Sequence, residues 1–244
     1  MLGSNLIRLK CKFVFFVSIV LMSSGWAESI EYKNLERRNG LYYVESTKKL
    51  YTGYVTGQIE GKILKGKKEG LHYKYDQSGI LINKANYNEN ILDGVQSEFF
   101  RDGGKLYIKN FKDGKLEGFY IDYYRTGQIL SIRNYKNNKL DGIYLDFHVN
   151  GQLRNKKKFK DGKPEGEFLT YFEFELYNVM QLKSKKFYQD GRLSGQYIEY
   201  DEKGQTRGKG FYKEGKLEGE YLKYNKTGDL EEIRIYKNGI LIND

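Results

Sequence analysis

Six carboxylates recur in the chain, each immediately before a glycine: Glu69, Asp93, Glu117, Asp141, Glu165 and Glu218. Basic residues stand two places ahead of this position at Lys67, Lys115, Lys139, Lys163, Arg192 and Lys216. Acid and base this close could serve general acid–base chemistry, which needs two groups whose environments drive their pKa values apart. Repetition argues against that use. Copies in equivalent surroundings titrate alike, so the alternation predicts a salt-bridged, solvated edge. The two histidines, His72 and His148, lack His-x-x-x-His spacing, and His72 stands where other units place Tyr. No Gly-x-Ser-x-Gly elbow, Gly-x-Gly-x-x-Gly turn or Gly-x-x-x-x-Gly-Lys-Ser/Thr loop occurs. The residues predict no catalysis, no cofactor, no metal site and no small-molecule substrate.

The elements that carry these acids repeat. Units opening on an aromatic or aliphatic residue start at Ile63, Tyr87, Phe111, Tyr135, Phe159, Tyr188, Tyr212 and Tyr236, spaced by 24 residues except for one interval of 29. A period this strict marks a repeat architecture. The first turn of each unit centres on pairs such as Asp113-Gly114, Glu89-Asn90 or Asn137-Asn138, residues that tolerate positive φ in a hairpin. A second turn ends at Gly79, Gly103, Gly127, Gly151, Gly204 and Gly228. Two turns in 24 residues leave two strands of about seven residues each. The expected fold is all-β: an elongated antiparallel meander of about eight β-hairpin repeats.

Two columns lie between the turns. Gly70, Gly94, Gly118, Gly142, Gly166, Gly195 and Gly219 form one. Glycine inside a strand implies a bulge or a close approach, and here it is expected to leave room for a ring from the neighbouring hairpin. Tyr75, Phe99, Tyr123, Phe147, Tyr171, Tyr200 and Tyr224 form the other, an expected ladder of rings that would be the core. A third aromatic column, Tyr120, Tyr144, Phe168, Tyr197 and Tyr221, has the opposite parity, so both faces of the sheet carry rings.

The amino terminus stands apart. Arg8, Lys10 and Lys12 precede an apolar run from Phe13 to Met22, followed by Gly25-Trp26-Ala27. This pattern predicts a signal peptide over 1–27, cleaved after Ala27, with export to the periplasm, the envelope or the medium. A retained membrane anchor is the alternative, although the run falls short of the roughly 20 residues of a spanning helix. Cleavage removes the one cysteine, Cys11, and with it any disulfide or thiolate chemistry. It also removes three positive charges and no acid, taking the formal +10 to +7. Residues 28–62 then form an opening segment with a partial repeat, and 63–244 the array.

The unit spanning 159–187 breaks the pattern: it has five extra residues, reads YFEFELYNVMQL from Tyr171 and lacks the second-turn glycine. Lysines flank it, Lys156, Lys157, Lys158, Lys160 and Lys163 on one side and Lys183, Lys185 and Lys186 on the other. On adjacent hairpins these would form one basic patch for an anionic partner or a membrane surface. Nucleic acid is not expected for an exported chain. A protein partner is.

The segments YKEGKLEGEYLKYNKTG at 212–228 and FKDGKLEGFYIDYYRTG at 111–127 resemble the bacterial variant of the MORN repeat, roughly Y-x-N/D-G-K-x-x-G-x-Y-x-x-Y-x-x-x-G. NGLYYVESTKKLYTGYV at 39–55 is similar to the opening of such proteins, which are often labelled YwqK-family antitoxins. The resemblance spans about Asn39 to Asp244. It implies a β-hairpin array, protein or membrane-surface interaction and no catalysis. The antitoxin label implies a cytosolic immunity protein, whereas the amino terminus predicts export.

Overall fold

A computed structural model describes residues 29–174 and 180–242. The signal peptide expected at 1–27, with Cys11, lies outside the described residues, as do 175–179 of the irregular unit. Tyr, Ile and Leu alternating with charged residues between positive-φ turn pairs favour paired strands, and hairpins follow one another along the chain. They build a single sheet of 21 strand segments, antiparallel from Gly53–Thr56 onward to Ile240–Leu241. Ser29–Glu31 lies parallel to Gly53–Thr56 and closes one end of the sheet.

Each first turn has two successive residues with positive φ, as a type I′ turn requires. The pairs run from Lys65 (49°) and Gly66 (75°) to Asn238 (53°) and Gly239 (84°), and Asn39-Gly40 adds one more upstream. These turns stack. The second turn residue donates its N–H to a carbonyl one hairpin back, as Asn90 does to Lys68 (3.0 Å), Gly114 to Leu92 (2.8 Å) and Gly239 to Leu217 (2.8 Å). The second turns close between residue n and n+4, for example from Asp76 N–H to Ile80 C=O and from Asn225 N–H to Asp229 C=O. Asp76, Asp201 and Asn225 fix them by accepting two backbone N–H bonds through Oδ1.

The array is one layer thick, and its apolar core is small. Among the described residues the buried hydrophobic side chains are Tyr42, Tyr51, Val55, Ile63 and Ala85, all near the amino-terminal end. Ile30, Tyr32, Leu35 and Val44 pack against that cluster. A separate hairpin, Leu35–Arg38 with Leu41–Val44, supplies part of it. It caps the first repeat, as the end units of repeat arrays must. The rest of the sheet is held by half-buried contacts.

Candidate interaction surface

The recurring acids have a structural task. Five of the six, all but Asp93, reach the next hairpin and accept the N–H of its first turn residue. The pairs are Glu69 with Glu89 (3.2 Å), Glu117 with Asn137 (2.8 Å), Asp141 with Asp161 (3.2 Å), Glu165 with Asp190 (3.0 Å) and Glu218 with Asn238 (2.7 Å). The expected salt-bridged edge is therefore replaced by carboxylates capping backbone turns, each bond contributing about 1 kcal/mol. Of the neighbouring bases, Lys67 does form an ion pair, with Glu89 at 2.8 Å.

The glycine column serves the backbone. Gly118 has φ +83° and sits in a bulge. Leu116 pairs with Phe111 and Tyr120 with Lys109, leaving Glu117, Gly118 and Phe119 opposite Asn110 alone. Gly70, Gly94, Gly142, Gly166, Gly195 and Gly219 likewise have φ between +70° and +108°. The expected ring at these positions is mostly absent. A Cβ on Gly70 or Gly219 would meet nothing within 4 Å, and one on Gly94, Gly118 or Gly142 would meet an asparagine side chain. Asn86 and Asn110 lie over the bulges and donate to the carbonyls of Asp93 (2.5 Å) and Glu117 (2.9 Å). Glycines that do make room for rings stand elsewhere. A Cβ on Gly61 would lie 2.4 Å from the ring of His72, and Cβ atoms on Gly208 and Gly210 would strike Tyr221.

The ring ladder also runs through other columns. None of the ring pairs among the described residues uses Tyr75, Phe99, Tyr123, Phe147, Tyr171, Tyr200 or Tyr224. Most of the rings that meet join the unit-opening column to the Tyr120 column, and Tyr107, outside both, extends the row. Tyr107–Tyr120–Tyr135 have centroids 5.8 and 6.1 Å apart, Tyr144–Phe159–Phe168–Tyr188 follow at 6.1, 5.4 and 4.4 Å, and Tyr197–Tyr212 at 5.8 Å. Cations alternate with these rings across the strands: Lys109, Tyr120, Arg133, Tyr144 and Lys157 are successive cross-strand partners. Arg133 lies 4.6 Å from the Tyr120 centroid and Lys109 lies 4.8 Å from it, contacts of about 0.5–2 kcal/mol each.

Beside this row runs a second of acids and hydroxyls. Asp122 accepts from Ser131 (2.7 Å) and from Arg133. Asp146, almost fully buried, is satisfied by Arg154 (2.6 Å), Asn155 (2.8 Å) and Lys157 (3.5 Å). Tyr107 donates to Glu98 and Tyr197 to Glu199. Burial raises the pKa of both phenols, and the adjacent carboxylates add to the shift. Tyr120 is pushed up to about 12, by burial first and then by Asp122. His72 belongs to the same face. Its Nε2 bonds the Lys62 carbonyl at 2.9 Å, its ring stands edge-on to Tyr87, and burial lowers its pKa to about 4. Apart from the buried Nδ1 of His72, which has no hydrogen-bond partner, the polar groups named on this ring face are paired with one another.

The opposite, open face is different. Leu71, Val95, Phe119 and Ile143 are exposed, Phe119 by 63%, and pair with Asn86, Asn110, Asn134 and Lys158. From the irregular unit onward the pattern inverts: Glu167, Gln196 and Glu220 pair with exposed Phe187, Phe211 and Ile235. A neighbouring row runs Ser97, Ile108, Ile121, Ile132, Leu145, Lys156, Leu169, Lys185, Ile198 and Lys209 across successive strands.

The eight lysines do not form one patch. Lys156, Lys158 and Lys185 lie on the open face, where Lys185 pairs with Glu167 at 2.5 Å, whereas Lys183 falls in a register shift and lies over the Phe172 ring at 5.4 Å. Lys157 and Lys186 lie on the ring face, over Tyr144 (4.9 Å) and Tyr197 (5.3 Å). Lys160 and Lys163 pair with each other beside a first turn. Strand alternation separates neighbours in sequence onto opposite faces.

The five extra residues of the irregular unit fall in its second turn, which closes from Phe172 N–H to Gln181 C=O at 3.0 Å. Pairing on either side keeps the common register, Tyr171 opposite Leu182 as Tyr123 is opposite Ile129. The near end of this turn is tied to the preceding one. Phe174 N–H donates to Gln152 Oε1 (2.9 Å), Asn150 donates to the Phe174 carbonyl (3.2 Å), and His148 Nδ1 meets Glu173 at 3.1 Å. At the far end, the Gln181 side chain lies against Gly204. The missing turn glycine marked this place in the sequence, but its anchors Asn150 and Gln152 gave no comparable signal.

No curated protein matches the chain. The family model described as the MORN repeat variant matches at residues 68–89, 114–137 and 217–238. Each match ends on the first residue of a first turn, Glu89, Asn137 or Asn238, and encloses one hairpin with its second turn. Three matches in phase with a 24-residue hairpin period support a protein built of MORN-variant repeats.

Proposed function

We propose that the chain is an exported, non-catalytic repeat scaffold that binds another protein at the cell envelope, with the irregular unit as its contact. Repeats of this type commonly bind proteins or membranes. The observation that carries the contact is the confinement of five extra residues to one turn of an otherwise constant array. Loops on a rigid scaffold are where binding specificity concentrates. The charged start, apolar run and Gly25-Trp26-Ala27 favour export, and amino-terminal sequencing of the mature protein is expected to begin at Glu28. The antitoxin resemblance favours a toxin as the partner, with this chain as its envelope-side antidote. Crosslinking in intact cells tests the contact. Deleting 175–179 is expected to abolish capture of the partner, and unchanged capture would remove the assignment.

A second reading rests on Lys156, Lys158 and Lys185, which occupy neighbouring strands on the open face. They favour peripheral attachment to an anionic membrane. Co-sedimentation with anionic vesicles over a salt series is expected to fall when these lysines are replaced by Glu. Binding that survives the replacement sinks this reading.

A further inference from the structure

We infer that the amino-terminal half of the open face is a self-association surface, covered by the same surface of a second copy of this chain. Five consecutive strands, from Ile91–Phe99 to Lys139–Phe147, present two rows of side chains there. The first row alternates exposed Val95, Phe119 and Ile143 with Asn110 and Asn134, and the second is the row from Ser97 to Leu145. None of these ten positions carries a charge, in a protein whose residues are 30% charged. The same two rows then acquire Lys156, Lys158 and Lys185.

Charge and period together select the occupant. An uncharged surface gives a lipid head group or an acidic peptide nothing to pair with. The knobs recur every second strand, about 9.6 Å, with asparagine troughs between them. An apolar stripe on a helix repeats every heptad, about 10.5 Å, so a straight helix loses register or tilts off the row. A second copy has the same period by construction. Related by a two-fold axis parallel to the strands, two copies offset by one strand place Phe119 in the trough at Asn134 of the other, and Ile143 in that at Asn110. The array directions then oppose, so the lysine-bearing halves lie at opposite ends of the pair, with Lys158 of each copy opposite Val95 of the other. Two sheets packed face to face in this way give the layered arrangement that buries apolar faces. Five strands by two rows cover less than the roughly 800 Å² per partner of a standard stable interface, so the dimer is reversible and concentration-dependent.

This inference does not rest on the partner reading, since deleting 175–179 leaves the block untouched. Sedimentation equilibrium of the full chain over a concentration series tests it. The unaltered chain is expected to pass from monomer to dimer. Phe119→Lys sets charge in both copies at the centre of the block and is expected to weaken association by more than about tenfold. Phe211→Lys, on the same face outside the block, is expected to leave association unchanged. Far-UV circular dichroism and the thermal midpoint verify folding, which substitution of two exposed rings leaves intact. A chain monomeric at every concentration overturns the inference, and so does association that survives Phe119→Lys or falls equally in both variants.

Discussion

Phe119 and Tyr120 are adjacent aromatic residues in one strand, and they have opposite fates. Tyr120 sits on the ring face between Tyr107 and Tyr135, with Lys109 and Arg133 against its ring and Asp122 nearby. Phe119 points from the open face, 63% exposed, beside a carboxamide trough. A one-layer sheet therefore has one face whose polar and aromatic groups satisfy one another and one face that does not. The first holds the fold together. The second is available for contacts.

The largest effect expected from breaking this comparison is on the ring face. Tyr120→Ala removes two ring contacts and two cation–π contacts and is expected to cost about 2–3 kcal/mol, measured by urea unfolding. Equal effects of Tyr120→Ala and Phe119→Ala would remove the distinction between the faces. His72 gives the same face a pH dependence. Its folded pKa, about 4, lies below the unfolded value of 6.5. Between these values the unfolded chain binds the extra proton, so stability present above pH 6.5 is lost as pH falls toward 4. The loss is expected to be on the order of 2–3 kcal/mol, and His72→Gln is expected to flatten that part of the profile.

Gly118 separates backbone from packing. Gly118→Val forces a β-branched residue to φ +83° and sets its Cβ against Asn110, at a cost of about 1–3 kcal/mol. Lys115→Ala, at an exposed site, is expected to change stability by less than about 0.5 kcal/mol. Thermal unfolding of the two variants checks the contrast, and similar midpoints would mean that the bulge is not conformationally demanding.

The sequence carried the hairpins and their phase, because Gly and Asn pairs mark positive-φ turns at a constant interval. It did not carry the faces. Both aromatic columns satisfy the same strand preference, and burial depends on what lies opposite each ring. The start-minus-two positions Lys109, Arg133 and Lys157 complete the ring-face row, but as isolated lysines and arginines they look like solvent-facing residues. The glycine column was ambiguous for a related reason. A missing side chain signals equally a close neighbour and a left-handed backbone, and only the φ angles and the asparagine over each bulge separate the two. Proximity in sequence does not gather the lysines on one surface, because strand alternation divides Lys156 and Lys158 from Lys157.

The smallest effect tests the turn edge, where the two faces meet. Glu117 carries one bond to the Asn137 amide at 2.8 Å and lies outside both the ring row and the apolar block. Glu117→Ala leaves that turn amide to water, because the edge is exposed, so the expected cost is only about 0.5–1 kcal/mol. Glu117→Gln keeps an acceptor at the same reach and is expected to recover most of the loss. Amide hydrogen exchange at Asn137 reads the bond directly: faster exchange in the Ala variant than in the Gln variant is expected. If both exchange like the unaltered chain, the recurrent acids are surface charges, and turn stacking rests on Asn138, whose N–H donates to the Leu116 carbonyl and whose Oδ1 accepts the Leu116 N–H.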